Sequence, residues 1–534
     1  MIVEKVTAAN EESRSAYRSP DRETTSPSRR TMALLAAVTF VVCCLRSFVP
    51  PHTPLLLWGD QLGYATKGVR ILGGELPYRD FFEFLTPGTD LVYALLFRCF
   101  GITMWVPNLT MAALAAVATL GITWSARRIM QGWFAVLPAL LLLGFVLFGS
   151  LDATHHWFST IAVMAAVSLL CQRTTLVRVA AAGALCGIAA SFTQSKGAAI
   201  VAGLFVYLLW SSRLEPSRAG NHLRRALTLC LVLLLAATLV FAAINGRFIL
   251  AAGIRPWAHD VIVYPLRYFG RVDTNNWRGA GLEWRERSGV LKWICSPFLY
   301  LSVPLTYLWF FAEWSFSKDR SRSTQTPIAF NPQRRQLLLL AIAGSAMLAA
   351  VSPALSIRRI SCVSPPAMVL LAWLLSRRGP SGLTCAKLLG AVSVVIAAGQ
   401  VVAVQTHPKH LVTLPVGTVA IPSADNAELY RWMAENTHPG QWYFGLPPLT
   451  LPLELRNPTP IESPGPAGYS RPDQIAAVVQ GLERTQTPML ILRRSPRTQA
   501  DKDDNLQPFF DYVDAHYQKT RRFAPGDEVW QRVR

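Results

Sequence analysis

The sequence predicts a polytopic α-helical membrane protein with about 11 transmembrane helices, followed by a small C-terminal α/β domain outside the membrane. Two observations carry this prediction. Of the 534 residues, 51% are hydrophobic and only 16% are charged, whereas soluble domains carry roughly 25% charged residues. The apolar residues also form long runs separated by short basic clusters, which is the pattern of membrane spans with cytoplasmic connections.

Runs of about 20 mostly apolar residues are long enough to cross a bilayer as helices. The run 88–104 is interrupted by Asp90 and Arg98, and we expect it to lie along the outer interface. The remaining eleven runs are the predicted spans: 31–49, 106–126, 131–149, 157–172, 179–194, 197–212, 226–244, 290–312, 336–353, 362–376 and 386–404.

The positive charge of the chain lies between these runs. The formal net charge is +20, and loops rich in Arg and Lys normally face the cytoplasm, so the charge requires no nucleic acid as a partner. With the N-terminus inside, the eleven predicted crossings put each basic cluster inside and the tail from about residue 405 outside. The clusters are Arg29 and Arg30, Arg127 and Arg128, Arg213 through Arg225, Lys318 through Arg335, and Arg377 and Arg378.

Three regions follow from this topology. Residues 1–30 are polar and rich in Ser, Thr and Arg, which predicts a disordered cytoplasmic tail. Residues 31–404 form the predicted transmembrane domain with a long outer loop over 50–105, and residues 405–534 form the predicted extracytoplasmic domain. The predicted strands of that domain are 419–421, 442–444 and 489–492, and its predicted helices are 424–435, 472–484 and 506–516.

The cysteine pattern predicts neither a disulfide framework nor a metal site. None of the nine cysteines follows Cys385, and no two have the C-x-x-C spacing of metal sites. The stretch 447–466 is rich in proline, so we expect it to be irregular.

The first outer loop offers candidate catalytic acids. Asp60 follows an apolar stretch at the predicted membrane surface, where partial loss of hydration would suit it to general-base catalysis; a solvated loop aspartate is the alternative. Asp80 and Glu83 would share a face on a helix. They could position an acceptor or hold a cation, or be ordinary interfacial charges. Thr86 and Asp90 predict a helix start, with Thr86 as the cap.

The second outer loop carries Asp152, His155 and His156 in one short turn. Polar groups at membrane depth are costly and therefore indicate function. Adjacent histidines point in different directions, so we do not expect both to chelate one metal ion. A hydrogen-bonding or acid–base role is favoured.

Three cations are predicted on the outer face, against the prevailing charge rule. Lys196, Arg358 and Arg359 could bind a lipid phosphate, or they could be charges that snorkel to headgroups. The outer loop 245–289 is either a mobile lid over a substrate cavity or an interfacial segment with aromatic anchors.

Taken together, these features resemble one family. A first helix precedes a long outer loop with an early aspartate, the stretch G-G-E-L-P-Y-R-D at 73–80 and T-P-G at 86–88, and an outer α/β domain ends the chain. This pattern resembles the C-type glycosyltransferases, which include protein mannosyltransferases, lipid A aminoarabinose transferases and many bacterial relatives. The resemblance is close over 31–160 and looser over the rest of the membrane part.

The resemblance implies a hexosyl or pentosyl transferase in the inner (plasma) membrane. Such an enzyme takes a sugar from a polyprenyl-phosphate donor and transfers it, with inversion, to a glycan, lipid or protein acceptor on the outer face. No cofactor is required, and a divalent cation is possible. A polyprenyl phosphate is already a good leaving group, so the reaction needs a base for the acceptor and cations for the departing phosphate.

The same resemblance assigns roles to the candidate residues. Asp60 would be the catalytic base and Asp152 the acid of the next outer loop, with Asp80 or Glu83 as the second acid of the first loop. The other predicted substrate-binding residues are His155, His156, Lys196, Arg358 and Arg359.

The sequence departs from the family pattern at two places. Gln61 follows Asp60 where the mannosyltransferases most often have Glu, which leaves the acceptor type open. The second outer loop lacks an acidic D-x-D pair, which argues against the metal-dependent oligosaccharyltransferase branch.

Two other classes of function are less favoured. A transporter or flippase for a lipid-linked glycan would place charges inside its crossings and often shows inverted repeats, whereas here the polar groups gather in outer loops. A non-catalytic scaffold would depend on the tail alone.

Overall fold

The computed structural model describes residues 26–57, 59–172, 174–213, 221–279, 281, 290–320, 332–466, 468–493, 505–524 and 526–533. Of the predicted disordered tail over 1–30, residues 1–25 lie outside the described residues, and the first helix begins at Arg29.

Helices dominate the part of the chain before residue 407. The first nine are α1 (Arg29–Ser47), α2 (Asp60–Leu72), α3 (Gly88–Phe100), α4 (Trp105–Ala126), α5 (Gly132–Leu141), α6 (His155–Leu170), α7 (Leu176–Phe192), α8 (Gln194–Arg213) and α9 (Asn221–Ala252). A π-helical turn, Leu142–Val146, and a last turn, Leu147–Gly149, continue α5. Short helical segments follow α9 over Ile254–Ala258, His259–Val263 and Tyr264–Arg267. The labelled helices after them are α10 (Val290–Arg320), α11 (Pro332–Val351), α12 (Ile357–Val363), α13 (Pro365–Ser376) and α14 (Gly379–Thr406).

Each of the eleven predicted apolar runs is helical over most of its length. Among the described residues, eight helices are long and apolar enough to cross a membrane, judged by length and composition. The other three predicted spans correspond to the shorter apolar helices α6 and α7 and to the pair α12 and α13, which is bent by 64°. The chain is therefore a multi-pass membrane protein, while the number of eleven crossings stays a prediction.

Glycines allow close packing of two of these helices. A Cβ at Gly183 of α7 would lie 2.4 Å from the carbonyl oxygen of Leu233 in α9, and one at Gly187 would lie 2.4 Å from that of Ala237. Small residues four apart let helix backbones approach closely in membranes. Any larger side chain at these two positions would push α7 and α9 apart.

The tail after α14 contains strands and helices. Strands β1 (Phe48–Val49) and β2 (Thr53–Pro54) lie earlier in the chain, directly after α1, and pair antiparallel. In the tail, a hairpin pairs β3 (His410–Leu414) with β4 (Gly417–Ile421). A separate sheet has the strand order β5-β6-β8-β7, with β5 parallel to β6 and the other pairs antiparallel. The remaining elements are β5 (Tyr443–Gly445), β6 (Met489–Arg493), β7 (Tyr517–Phe523), β8 (Asp527–Arg532), α15 (Ala424–Asn436), α16 (Pro472–Thr485) and α17 (Gln507–His516).

The six elements predicted for the tail are present at their predicted positions. Strands β3, β7 and β8 were not among them. In β7 all five residues between the buried Tyr517 and Phe523 are exposed, so this edge strand lacks the alternation of apolar and polar residues by which a half-buried strand is recognised.

The tail and the first outer loop share one hydrophobic core. Leu56 and Leu62 of the loop pack in the same buried cluster as Val419 and Ile421 of the tail. The backbone N–H of Leu56 donates to the carbonyl oxygen of Ala420 at 3.0 Å. The tail therefore holds the segment that leads into α2.

Candidate active site

Helix α2 begins at Asp60, the predicted catalytic base. The preceding Gly59 has φ = 92°, a conformation that favours glycine. The Asp60 carboxylate is 52% exposed, and its Oδ2 accepts a hydrogen bond from Arg358 Nη1 at 2.7 Å. Asp60 is therefore about half exposed and stands beside a guanidinium, and its role as a base stays a prediction.

Arg358 joins the two acids that the sequence analysis placed in catalysis. Its Nη1 contacts Asp60, and its Nε lies 3.6 Å from Asp152 Oδ2. Arg358 stands in the first turn of α12, a helix whose start is capped by Ser356. Since Arg has five N–H donors in a planar fork, these two carboxylates do not exhaust its binding capacity.

Asp152 is held by its own loop. Thr154 Oγ1 donates to Oδ1 at 2.8 Å and Ser150 Oγ donates to Oδ2 at 3.4 Å. Burial raises the pKa of Asp152, and Arg358 and the Thr154 hydrogen bond oppose this effect. Asp152 is thus the more enclosed of the two acids, with a side chain 15% exposed.

Gln61 fixes the second outer loop to α2. Its side chain is buried, and its Oε1 accepts a hydrogen bond from the backbone N–H of Ala153 at 2.6 Å. A glutamate at this position would add a negative charge beside Asp60 and Asp152. The departure from the commonest family pattern therefore has a structural consequence, which is to keep a neutral group between these two acids.

His155 and His156 are the first two residues of α6 and follow Asp152 closely in the chain. His155 Nδ1 is 2.7 Å from Tyr64 Oη, and the centroids of the two histidine rings are 3.8 Å apart. The expectation that the rings point in different directions is wrong, because they stand side by side, tilted by 44°. Within the described ranges no group of three or more His, Cys, Asp or Glu residues could hold a metal ion.

Lys196 is a buried cation rather than a snorkelling one. Its side chain is 0% exposed, and its Nζ donates to the carbonyl oxygen of His156 at 3.1 Å. A headgroup anchor would be exposed at a helix end, so that interpretation is wrong for Lys196.

The two adjacent arginines have different surroundings. Arg359 Nη1 donates to the carbonyl oxygen of Ala354, and its guanidinium lies 5.3 Å from the ring centroid of Phe269. Consecutive helical residues point about 100° apart, which explains why only Arg358 reaches the two acids.

The two further acids of the first outer loop, Asp80 and Glu83, have different surroundings. Asp80 pairs with Arg79 at 2.7 Å and accepts from the backbone N–H of Leu76, so it stabilises a turn. Glu83 is 1% exposed, and its Oε2 lies 2.5 Å from Lys67 Nζ on α2. No helix forms over 80–83, so the two do not share a helical face. Of Asp80 and Glu83, only Glu83 forms an ion pair with a residue of α2, the helix that begins at Asp60.

Helix α3 begins at Gly88 without the predicted Thr86 cap. Thr86 Oγ1 instead donates to the carbonyl oxygen of Ala190 at 2.7 Å. Asp90, in the first turn of α3, is 1% exposed, and neither of its carboxyl oxygens has a hydrogen-bond partner among the described residues. Burial raises the pKa of Asp90 well above its usual range, and Glu83 adds to this effect.

Lys67 is a buried residue that the sequence analysis missed. Burial alone would lower its pKa, but Glu83, Glu462 and Asp90 outweigh burial and raise it. Its position on α2, seven residues after Asp60, is the signal that could have identified it, because residues so spaced share a helix face. Glu462 comes from the proline-rich stretch of the tail, and no motif marks it.

The segment after α9 packs between the membrane part and the tail. Tyr264 Oη donates to the carbonyl oxygen of Tyr469 at 2.9 Å, and the ring of Phe269 contacts that of Phe84 at 5.1 Å between centroids. Tyr264 and Phe269 therefore contact other parts of the protein, and Phe269 lies next to Arg359. The rest of the predicted loop 245–289 (residues 280 and 282–289) lies outside the described residues.

Comparisons with known proteins give a likeness in structure alone. The sequence matches no protein-family model and no curated protein. The structure is similar to that of ArnT from Cupriavidus metallidurans bound to undecaprenyl phosphate, with a TM-score of 0.57 and 14% identity over 94% of this chain and 97% of that chain. It is also similar to the Archaeoglobus fulgidus oligosaccharyltransferase in complex with Zn and sulfate, with a TM-score of 0.48 and 13% identity over 86% of this chain and 68% of that chain. The predicted resemblance is therefore confirmed in the fold: the chain has the fold of ArnT, an aminoarabinose transferase of the C-type glycosyltransferases.

Proposed function

We propose that this chain is a membrane glycosyltransferase that transfers a sugar from a polyprenyl-phosphate donor to an acceptor on the outer face of the membrane, with inversion. The observation that carries the proposal is the contact of Arg358 with both Asp60 and Asp152. A base and a phosphate-binding cation stand side by side there, at the ends of helices and not within a crossing. The fold shared with ArnT, whose structure holds undecaprenyl phosphate, supports the class of donor.

Asp60 is the base of the proposed reaction. It takes the proton from an acceptor hydroxyl or amine while the acceptor atom attacks the anomeric carbon of the sugar. The bond from that carbon to the phosphate oxygen breaks, and the electron pair leaves with the polyprenyl phosphate. One carboxylate in line is enough for a single displacement, and its open position allows an acceptor to reach it.

Arg358 stabilises the departing phosphate. Arg binds phosphate through two parallel hydrogen bonds, and the Nε and Nη groups of Arg358 face the space between Asp60 and Asp152. Lys196 and Arg359 are the other cations that we assign to the donor. Lys196 contacts the second outer loop through the carbonyl oxygen of His156. It adds positive electrostatic potential to the site although its side chain is not exposed to solvent.

The proposed topology completes the assignment. Residues 1–30 are a cytoplasmic tail, residues 31–404 cross the plasma membrane eleven times, and residues 405–534 are an extracytoplasmic domain with mixed strands and helices. Since Asp60, Asp152 and Arg358 meet at one place, all three of their loops must then lie on the outer side. The sugar is a hexose or a pentose, and the acceptor is a glycan, a lipid or a protein.

The test compares Asp60→Asn with a matched variant, Asp425→Asn, whose side chain is exposed in the tail. Purified protein is incubated with a panel of labelled polyprenyl-phosphate hexoses and pentoses and with cell envelopes that lack this protein. We expect Asp60→Asn to bind the donor normally and to lose ~10²–10⁴ in transfer rate. Asp425→Asn should transfer at the wild-type rate. Transfer by Asp60→Asn at the wild-type rate would reject Asp60 as the base, with Asp152 as the next candidate.

A further inference from the structure

One segment of the tail reaches the helix that carries Asp60. In this segment, residues 457–462, the carbonyl oxygen of Thr459 accepts from Arg70 Nη2 at 3.2 Å. The carbonyl oxygen of Pro460 accepts from the backbone N–H of Phe82 at 2.8 Å. Asn457 Nδ2 and Thr459 Oγ1 both donate to the carbonyl oxygen of Ile461. These bonds fix the backbone directly before Glu462 against α2 and the first outer loop.

Glu462 lies over the first turns of α2. Its Oε2 would be 3.3 Å from a Cβ built at Gly63, so it touches the helix where there is no side chain. Positions 60, 63 and 67 follow one another at helical spacings of three and four and share a face. Gly63 is about 4.5 Å along the helix axis from Asp60 at a rise of about 1.5 Å per residue. The carboxylate of Glu462 therefore stands between Asp60 and Lys67.

One oxygen of this carboxylate is unused. Glu462 Oε1 is buried and has no hydrogen-bond partner among the described residues. Glu83, in contrast, uses both of its oxygens, one toward Lys67 and one toward the backbone N–H of Leu85. Asp90 is 1% exposed, with both oxygens likewise without a partner. A buried polar atom without a partner is unfavourable, so a ligand that donates a hydrogen bond to Glu462 would gain by binding here.

The two sides of Asp60 offer different groups to a ligand. Toward α12 stand the cations Arg358 and Arg359, whereas along α2 the carboxylates of Glu83 and Glu462 lie near Lys67, and Arg70 also acts on Glu462. The first side offers guanidinium groups to a donor phosphate, whereas the carboxylate oxygens of the second side would oppose its binding there. The second side suits a group that donates hydrogen bonds, such as a hydroxyl or an ammonium.

We propose that Glu462 binds the acceptor, accepting a hydrogen bond from a hydroxyl or ammonium group next to the attacking atom. This inference rests on the proposed function, since it presupposes that Asp60 activates an acceptor. It gives the tail a defined task in the reaction: the tail supplies a specificity-determining carboxylate, while the membrane part supplies the base and the phosphate-binding cations.

The test separates acceptor binding from donor binding. Glu462→Gln and Glu462→Asp are compared with Glu435→Gln, a control at an exposed position on α15. Each purified protein receives a labelled polyprenyl-phosphate sugar and increasing amounts of envelopes from cells that lack this protein. Release of free sugar to water, measured without envelopes, gives a rate that does not depend on the acceptor.

We expect Glu462→Gln to raise the half-saturating amount of envelope at least tenfold. The donor KM, the release of sugar to water and the Tm should stay at wild-type values, and Glu462→Asp should have an intermediate effect. Wild-type saturation in Glu462→Gln would overturn the inference. So would a parallel rise in donor KM with a lower Tm, because a merely structural residue would act on both substrates. A wild-type protein that neither transfers nor releases sugar would overturn the proposed function and this inference together.

Discussion

Arg358 Nη1 and Asp60 Oδ2 are 2.7 Å apart although 298 positions separate them in the chain. Asp60 begins α2 in the first outer loop, and Arg358 stands in the first turn of α12 near the end of the membrane part. The pair is half exposed, so it contributes little to stability. Its importance lies in position, because it fixes where the predicted base stands relative to the predicted phosphate-binding cation.

The first prediction is that the adjacent Arg358 and Arg359 contribute unequally to donor use. Arg358→Ala should reduce donor use by about 10–100-fold, the value of one charge-assisted hydrogen bond of about 1.5–3 kcal/mol. Arg358→Lys should recover only part of this loss, because an ammonium lacks the planar fork. Arg359→Ala should have the smaller effect, since Arg359 contacts a carbonyl oxygen and an aromatic ring instead of the two acids. Donor-concentration kinetics on the three variants test this; unchanged KM and kcat in all three would make both arginines headgroup anchors.

A second prediction concerns topology. The exposed native thiols Cys99 and Cys385 are first replaced by Ser, since the others are buried or partly buried. His52→Cys, Leu151→Cys and Ser352→Cys should then react with a membrane-impermeant maleimide added to intact cells. Gln172→Cys, in the connection between α6 and α7, should react only after the membrane is opened. Labelling of any of the first three from the cytoplasmic side alone would contradict the predicted orientation.

The helices could be predicted from the sequence because a membrane span has a simple signature. Apolar runs such as 106–126 and 386–404 correspond closely to α4 (Trp105–Ala126) and α14 (Gly379–Thr406). The bend between α12 and α13 was not predicted, although Pro365 and Pro366 stand at the break. Proline removes a backbone donor and disfavours a helical residue before it, so this signal was present in the sequence.

The site was harder to predict because it depends on contacts between distant segments. The charge pattern identified Asp60, Asp152 and Arg358 as candidates, but no local rule says that Arg358 bridges the two acids. The choice between Asp80 and Glu83 also required the fold, since only the burial of Glu83 against Lys67 separates them. Glu462 could not be found at all, because a proline-rich loop has no periodicity from which its neighbours can be inferred.

A third prediction uses the pH dependence of stability. Burial raises the pKa of Asp90 well above its usual range, so the folded protein holds this proton at pH values where the unfolded chain has lost it. Stability then falls as pH rises from the ordinary Asp pKa toward the raised one, by about 1.4 kcal/mol per pH unit. Asp90→Asn removes this dependence. The Tm of the variant minus that of wild type should therefore grow with pH across that window, and a constant difference would contradict the assignment.

The last prediction concerns Lys67 and Glu83, which form the most enclosed ion pair of the first outer loop. Their side chains are 15% and 1% exposed. Removing one partner of a buried pair leaves the other charge without compensation, which typically costs about 3–5 kcal/mol. Lys67→Met should therefore destabilise the protein strongly, since the buried Glu83 would lose its ion-pair partner and Glu462 would lose one of the cations that act on it.

A double-mutant cycle distinguishes this effect from a loss of packing. Lys67→Met with Glu83→Gln removes both charges of the pair, and the glutamine Oε1 can still accept the hydrogen bond from the backbone N–H of Leu85. The double variant should thus be more stable than Lys67→Met alone. Arg79→Met is the matched control, because it breaks the exposed pair with Asp80, whose side chains are 49% and 31% exposed, and should change the Tm little. If the effects of Lys67→Met and Glu83→Gln are simply additive, the pair is not coupled, and Lys67 stabilises α2 through its hydrocarbon chain instead.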